Sequence, residues 1–165
     1  PIRSSAASDV YKRQTFTRAA EEALIDVESS IHVGARGPTN DSGVFNHTRD
    51  VGYGLIDGTE LFNVGLRNTA KNIVESLKGR SIYLCFDMDF FDPSCAPGVC
   101  TPTWGGATSR EGLDFLQNLT GLNLVGADIN TVSPPHDISG MTAFLAATVG
   151  LEILSVICHS KGLVE

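Results

Sequence analysis

The run Ser81–Phe86, followed at once by Asp87, Met88, Asp89, Phe90, Phe91, Asp92 and Pro93, limits what this chain can become. A nearly continuous apolar stretch of strand length predicts a strand covered on both faces, as in a parallel sheet. The acids begin where the apolar run stops, and in open parallel sheets functional groups collect at the carboxyl ends of strands. Side chains two apart on an extended chain point the same way, so Asp87 and Asp89 are expected to converge. Two carboxylates held together repel unless a cation or a shared proton compensates, which makes a metal the economical explanation. Hard oxygen donors favour Mn²⁺ or Mg²⁺ over zinc or copper. A solvated loop stays open as the other reading of the pair.

The flanking sequence alternates helical and strand patterns. Phe16–Glu28 has apolar residues at helical spacing, and Ile31–Ala35 reads as a short strand ended by Arg36, Gly37 and Pro38. A polar loop rich in Gly, Asn and Asp follows. Thr59 then caps a helix carrying Phe62, Leu66, Ala70, Ile73 and Leu77, which Gly79 stops. Thr108 and Glu111 fit a capping box for a helix through Leu113, Leu116 and Leu119. Leu122–Ala127 is the next apolar strand, and an apolar helix from Met141 to Cys158 closes the pattern. This order predicts a three-layer α/β/α fold around a mainly parallel sheet, formed by residues 15–165 as part of a single domain. Residues 1–14 have no cap followed by an apolar period and are set aside as a non-native or disordered segment.

Charge and cysteine content narrow the function classes. Twelve basic against 19 acidic residues give a net charge of -7, without the basic stripe that nucleic acid or an anionic membrane requires. Cys85, Cys95, Cys100 and Cys158 have no paired spacing and read as reduced thiols of a cytoplasmic protein. The Met141–Cys158 stretch contains Gly150 and Glu152 and reads as a buried helix, not a membrane span. Asp92, just before Pro93, reads as a structural acceptor that fixes a turn. Asp128, at the end of the next strand, is either a third ligand or a buried acceptor, the second being favoured.

Read onward, the acids fall into a longer pattern. After Asp87, Asp89, Asp92 and Pro93 come Ala96, Pro97 and Gly98, then Thr101 and Pro102, Gly105 and Gly106, and Arg110 and Glu111. Gly126, Ala127 and Asp128 follow, then Val132–Asp137, and Val33–Gly37 precedes them. This order resembles the ureohydrolase family of arginase and agmatinase, over about residues 15 to 158. The resemblance implies two Mn²⁺ ions bridged by a hydroxide that attacks a guanidinium carbon, giving urea and an amine. It assigns Asp87 and Asp89 as metal ligands, and it implies a homo-oligomer, trimer or hexamer, for the intact enzyme. The family's other four ligands and a catalytic His belong upstream of residue 15. None of His32, His47, His136 or His159 takes that His position, so no catalytic residue is identified and the chain is expected to be inactive alone.

Two departures concern the substrate. The resemblance implies a Glu three residues beyond Asp128 to pair with the guanidinium, and Thr131 stands there. A charge-assisted contact is exchanged for an ordinary hydrogen bond. Trp104 stands where relatives carry a smaller residue; it either narrows the pocket or only packs. With Thr101 these residues form the candidate substrate pocket. They disfavour arginase, weaken plain agmatinase and suit a small or unusual guanidino substrate, so the expectation is an agmatinase/guanidinobutyrase-like ureohydrolase or a Ni²⁺-dependent hydrolase of free guanidine. Two other classes remain: a haloacid-dehalogenase-type phosphatase, whose Asp-x-Asp is not usually followed by residues like Phe90–Pro93, and a non-catalytic regulatory paralogue.

Overall fold

The computed structural model describes residues 16–38 and 43–163, so the expectation for residues 1–14 lies outside the described residues. The chain divides into two compact units. One holds the described residues up to Val33 together with Pro38–Ile56, and the other holds Gly34–Gly37 with the described residues from Asp57 onward.

In the first unit the helix expected over Phe16–Glu28 stops early, since only residues 16–21 are helical (α1). Ala23 adopts a left-handed φ of 52°, and the amides of Ala23 and Leu24 bond back to the carbonyls of Ala20 and Ala19. That pairing closes a helix end, here without the glycine that makes such ends readable in sequence. A 3-10 turn at Val27–Ser29 leads into β1, Ile31–Ala35. The segment expected as a polar loop folds instead into α2, Val44–Val51, and β2, Gly54–Asp57, which pairs with β1. Gly52, at φ 109°, ends α2. His32 lies edge-on to the rings of Phe16 and Tyr53, with centroids 5.6 and 5.0 Å away, and burial lowers its pKa.

In the second unit, the helix expected from Thr59 is two helices. Asp57, not Thr59, caps α3, Gly58–Val64, by accepting from the Glu60 amide at 2.9 Å. Gly65, at φ 86° and ψ 136°, breaks the chain before α4, Leu66–Ser76. Strand β3 runs Ser81–Asp87, and α5, Ser109–Gln117, carries the chain to β4, Asn123–Asn130, which pairs with β3 in parallel. Both halves of the Thr108–Glu111 capping box are present. The last helix is α6, Met141–Ser160. Helix packing runs from α3 to α4, α4 to α5 and α5 to α6, with α6 also against β4.

The α/β order is the expected one, and the burial is not. Register places Phe86 beside Ile129 on the face where the Ile129 side chain approaches Gly150 of α6. The other face of β3 is open among the described residues, with Tyr83 62% exposed. The expected buried helix also has only one covered side: Thr142, Val149, Ile153 and Val156 are buried, while Phe144 is 74% exposed and Leu151 and Leu154 are exposed. A helix apolar all round needs partners on every side, and among the named elements only α5 and β4 pack substantially on this one. By length and composition it is also able to cross a membrane.

The apolar residues between the acids form the core beneath the strand end. Met88 and Phe91 are 0% and 1% exposed, and the rings of Phe86, Phe90, Phe91 and Phe115 lie within 5.6 to 6.0 Å of one another in successive pairs.

Candidate metal centre

Strand β3 ends at Asp87, and Asp89 sits inside the 3-10 turn Met88–Phe90. The alternation of an extended chain therefore does not reach Asp89, and the convergence expected from spacing alone has no basis beyond the strand. What positions Asp89 is tertiary. The Thr101 hydroxyl donates to Asp89 Oδ2 at 2.7 Å, and the Asp89 amide donates to Thr131 Oγ1 at 3.3 Å. Two of the expected pocket residues are thus brought to one aspartate from loops 12 and 42 residues away.

Thr131 holds its place under strain. It is β-branched and has φ 70°, a conformation that costs such residues on the order of 1–3 kcal/mol and persists only where surroundings impose it. Its carbonyl accepts from the Cys100 amide at 2.9 Å, and Val99 and Val132 form an antiparallel bridge. Its hydroxyl donates to the Asn130 carbonyl at 2.7 Å while accepting from Asp89. Trp104 is 75% exposed, so it neither packs nor closes a pocket among the described residues.

Asp92 accepts from the amides of Ser94 at 2.9 Å, Gly105 at 2.9 Å and Gly106 at 3.3 Å. These bonds, those from Ser94 foremost, hold its pKa down at about 2. The residue ties the strand end to the Gly105–Gly106 turn. Asp128 accepts from the Tyr83 hydroxyl at 2.7 Å and from the Asn130 side-chain amide, on the open face of the strand pair. Cys85 stands opposite it in register, its thiol pushed up to about 11 by burial and then by its hydrogen bond to Asp128. The residue as a whole is exposed, so that burial is local to the sulfur, which Asn130 also contacts at 3.4 Å.

The loops after β3 and β4 meet at Gly98 and Asp137. The Ser133 amide donates to the Gly98 carbonyl at 2.8 Å, and the Gly98 amide donates to the buried Thr142 hydroxyl at 2.9 Å. Asp137 accepts from the amides of Thr142 and Ala143, both at 2.9 Å, and so caps α6. Burial alone would raise its pKa; the bonds from Ala143 and Thr142 leave it lowered.

Of the histidines, His136 bonds Ser133 at 2.8 Å and His159 lies in the last turn of α6. Among the described residues no group of three or more His, Cys, Asp or Glu side chains is gathered to hold a metal. A shallow groove of about 400 Å³ between α4 and α5, lined by Lys71, Glu75 and Gln117 among others, does not include the aspartates. One residue that sequence reasoning left without a role is Arg36. Its guanidinium donates to the carbonyls of Asp89, Phe91 and Thr103, and the available signal was a cation between Ala35 and Gly37, directly after a short strand.

Comparison with known proteins gives concordant results. A sequence model described as the arginase family matches residues 3–155. The chain is 35% identical over 143 residues to a guanidinobutyrase of Pseudomonas aeruginosa, covering 87% of the chain and 45% of that protein. It is 36% identical over 146 residues to an agmatinase of Photorhabdus laumondii, covering 88% and 45%. The structure superposes on proclavaminate amidino hydrolase of Streptomyces clavuligerus with a TM-score of 0.80 at 34% identity, covering 88% of this chain and 47% of that one. The chain thus spans less than half the length of each. None of these matches supports the phosphatase alternative.

Proposed function

Since the chain belongs to the arginase family, we propose that it forms the carboxyl-terminal part of a hydrolase that cleaves a guanidino C–N bond, releasing urea and an amine. The observation that carries the reading is the family match across residues 3–155, within which Asp87 and Asp89 stand at the end of a parallel strand.

The donors present suit a hard divalent cation in kind: two carboxylates at one strand end. They are too few to complete its shell, so the remaining donors come from outside the described residues. Asp87 and Asp89 would hold the cation, Mn²⁺ in this reading, two per centre in the intact enzyme. A metal bound there supplies hydroxide near neutral pH by lowering the pKa of a bound water. The chain's own residues do the positioning. Thr101 engages Asp89 Oδ2, which orients the carboxylate and leaves Oδ1 for a ligand.

The substrate follows from Thr131. Its hydroxyl is committed to the Asn130 carbonyl and the Asp89 amide, so it holds the loop and does not offer a guanidinium the charged acceptor that a Glu would. That favours guanidino compounds other than arginine, in keeping with relatives named guanidinobutyrase and agmatinase. The same residue is what favours the Ni²⁺-dependent guanidine hydrolase as a second reading.

Urea release by the intact enzyme from agmatine, 4-guanidinobutyrate, 3-guanidinopropionate, arginine and guanidine, with Mn²⁺ or Ni²⁺, tests both. Turnover of a compound other than arginine is expected. Arginine as the preferred substrate refutes the substrate reading, and no urea from any of the five refutes the reaction. Residues 1–165 alone should release none.

A further inference from the structure

We infer that Arg36 is a positioning residue for the aspartate turn, its guanidinium gathering the main chain that carries Asp89 and the loop that carries Thr101 into one rigid arrangement. The inference rests on the reading of Asp87 and Asp89 as metal ligands.

Arg36 follows β1 directly and is half-buried. Its Nη2 donates to the Asp89 carbonyl, to the Phe91 carbonyl at 3.1 Å and to the Thr103 carbonyl at 3.0 Å. Three acceptors share the two hydrogens of one nitrogen, and a planar guanidinium is the side chain with the reach and directionality for that. Nε is buried and makes no hydrogen bond among the described residues, so the gathering is done at the tip. Two glycines are shaped around it. A Cβ on Gly106 would lie 2.5 Å from Arg36 Nη2, and one on Gly37, which has φ 93°, would lie 2.5 Å from Thr103 Cγ2. The Asp89 carbonyl lies within the 3-10 turn that aims the Asp89 carboxylate, and the Phe91 carbonyl follows that turn directly. Thr103 lies two residues beyond Thr101, whose hydroxyl bonds that carboxylate. Arg36 therefore fixes both the ligand and the group that orients it. Groups that orient a metal ligand typically change metal affinity about 10- to 100-fold when removed.

The sign of the effect separates positioning from charge. A cation beside a metal site repels the metal, so if charge were all that mattered, Arg36→Gln would tighten Mn²⁺ binding and Arg36→Lys would leave it unchanged. Positioning predicts that both weaken it, because the glutamine amide falls well short of the three carbonyls and a lysine ammonium stops one bond short of Nη2 on a flexible stem.

The test titrates the intact enzyme and each variant in it with Mn²⁺, following free Mn²⁺ by electron paramagnetic resonance, with the melting temperature measured in parallel. Arg36→Gln is expected to weaken binding at least about tenfold and Arg36→Lys less. Arg67→Gln, which removes an exposed arginine paired with Asp114, should leave it unchanged. Tighter or unchanged binding in folded Arg36→Gln, or unchanged binding in Arg36→Lys, overturns the inference, as does a lowered melting temperature with unaltered affinity. Should Arg36→Gln not fold, Arg36→Lys decides. The double variant Asp87→Asn, Asp89→Asn reads the underlying assignment: if it binds Mn²⁺ as well as the unaltered chain, the metal reading fails, whatever the Arg36 variants do.

Discussion

Replacing Gly112 by alanine sets helix propensity against packing, with opposite signs. Gly112 lies within α5, where a glycine costs about 0.8–1.0 kcal/mol relative to alanine, so from sequence the substitution stabilises by that amount. In the structure the added Cβ would lie 2.1 Å from Cε1 of Phe91, 2.8 Å from Cζ and 3.0 Å from Cδ1. The ring is fully buried and wedged beside Phe86 and Phe90, with centroids 5.7 and 6.0 Å away, so it has no free direction to move. Overpacking of this kind costs about 1–3 kcal/mol, and a contact this short belongs at the upper end. Net destabilisation of about 1–2 kcal/mol follows. Urea unfolding monitored by far-ultraviolet circular dichroism measures it as a lower midpoint at unchanged slope. Phe91→Leu removes Cε1 and Cζ, so in that background Gly112→Ala should recover the helix gain. The coupling energy from the double-mutant cycle is then about 2–3 kcal/mol. Stabilisation by Gly112→Ala alone, or an equal effect in both backgrounds, refutes the packing argument.

Other perturbations probe separate parts of the site. Asp92 is held at about 2 in the folded chain against an ordinary 3.8, so its stabilising contribution is complete above 3.8 and is lost as pH falls through about 2. Melting temperature against pH should show this loss in the unaltered chain and not in Asp92→Asn; equal slopes for both count against it. Gly98→Ala would bring a Cβ to 2.6 Å from Cα and Cβ of Asp137 and displace the cap of α6; overpacking of about 1–3 kcal/mol should lower the melting temperature, and no change refutes the junction. At pH 8 the Cys85 thiol, at about 11, has on the order of 10²-fold less thiolate than a free cysteine, so iodoacetamide should label it slowly and Asp128→Asn should speed the reaction. Phe144, Leu151 and Leu154 on α6 should make residues 1–165 bind a hydrophobic dye and self-associate, and Phe144→Ser should reduce both; a dye-silent monomer counts against an open face.

Much of the second unit was legible because its signals are local. The Ser81–Phe86 strand depends on an apolar run, and the α5 capping box on hydrogen bonds between residues three apart, so a short window contains each cause. The first unit was harder. Ala23 closes a helix in a conformation usually given to glycine, and α2 and β2 fold from a segment whose Gly, Asn and Asp content favours turns. In the second unit, Gly65 splits what reads as one periodic helix, because periodicity continues across a break that changes only two dihedral angles.

The sequence by itself determined the family, through motif residues in order, and the identity of Asp87 and Asp89 as the acids at a strand end. It also showed Thr131 where a Glu was expected. Tertiary structure decided how those residues are held. Asp89 leaves the strand, so its aim depends on Thr101, Thr131 and an arginine 53 residues away, and Thr131 spends its hydroxyl on the main chain. The reason is directional: hydrogen bonds to carbonyls and carboxylates depend on where distant loops arrive in space, and no pattern along the chain encodes the angle of arrival.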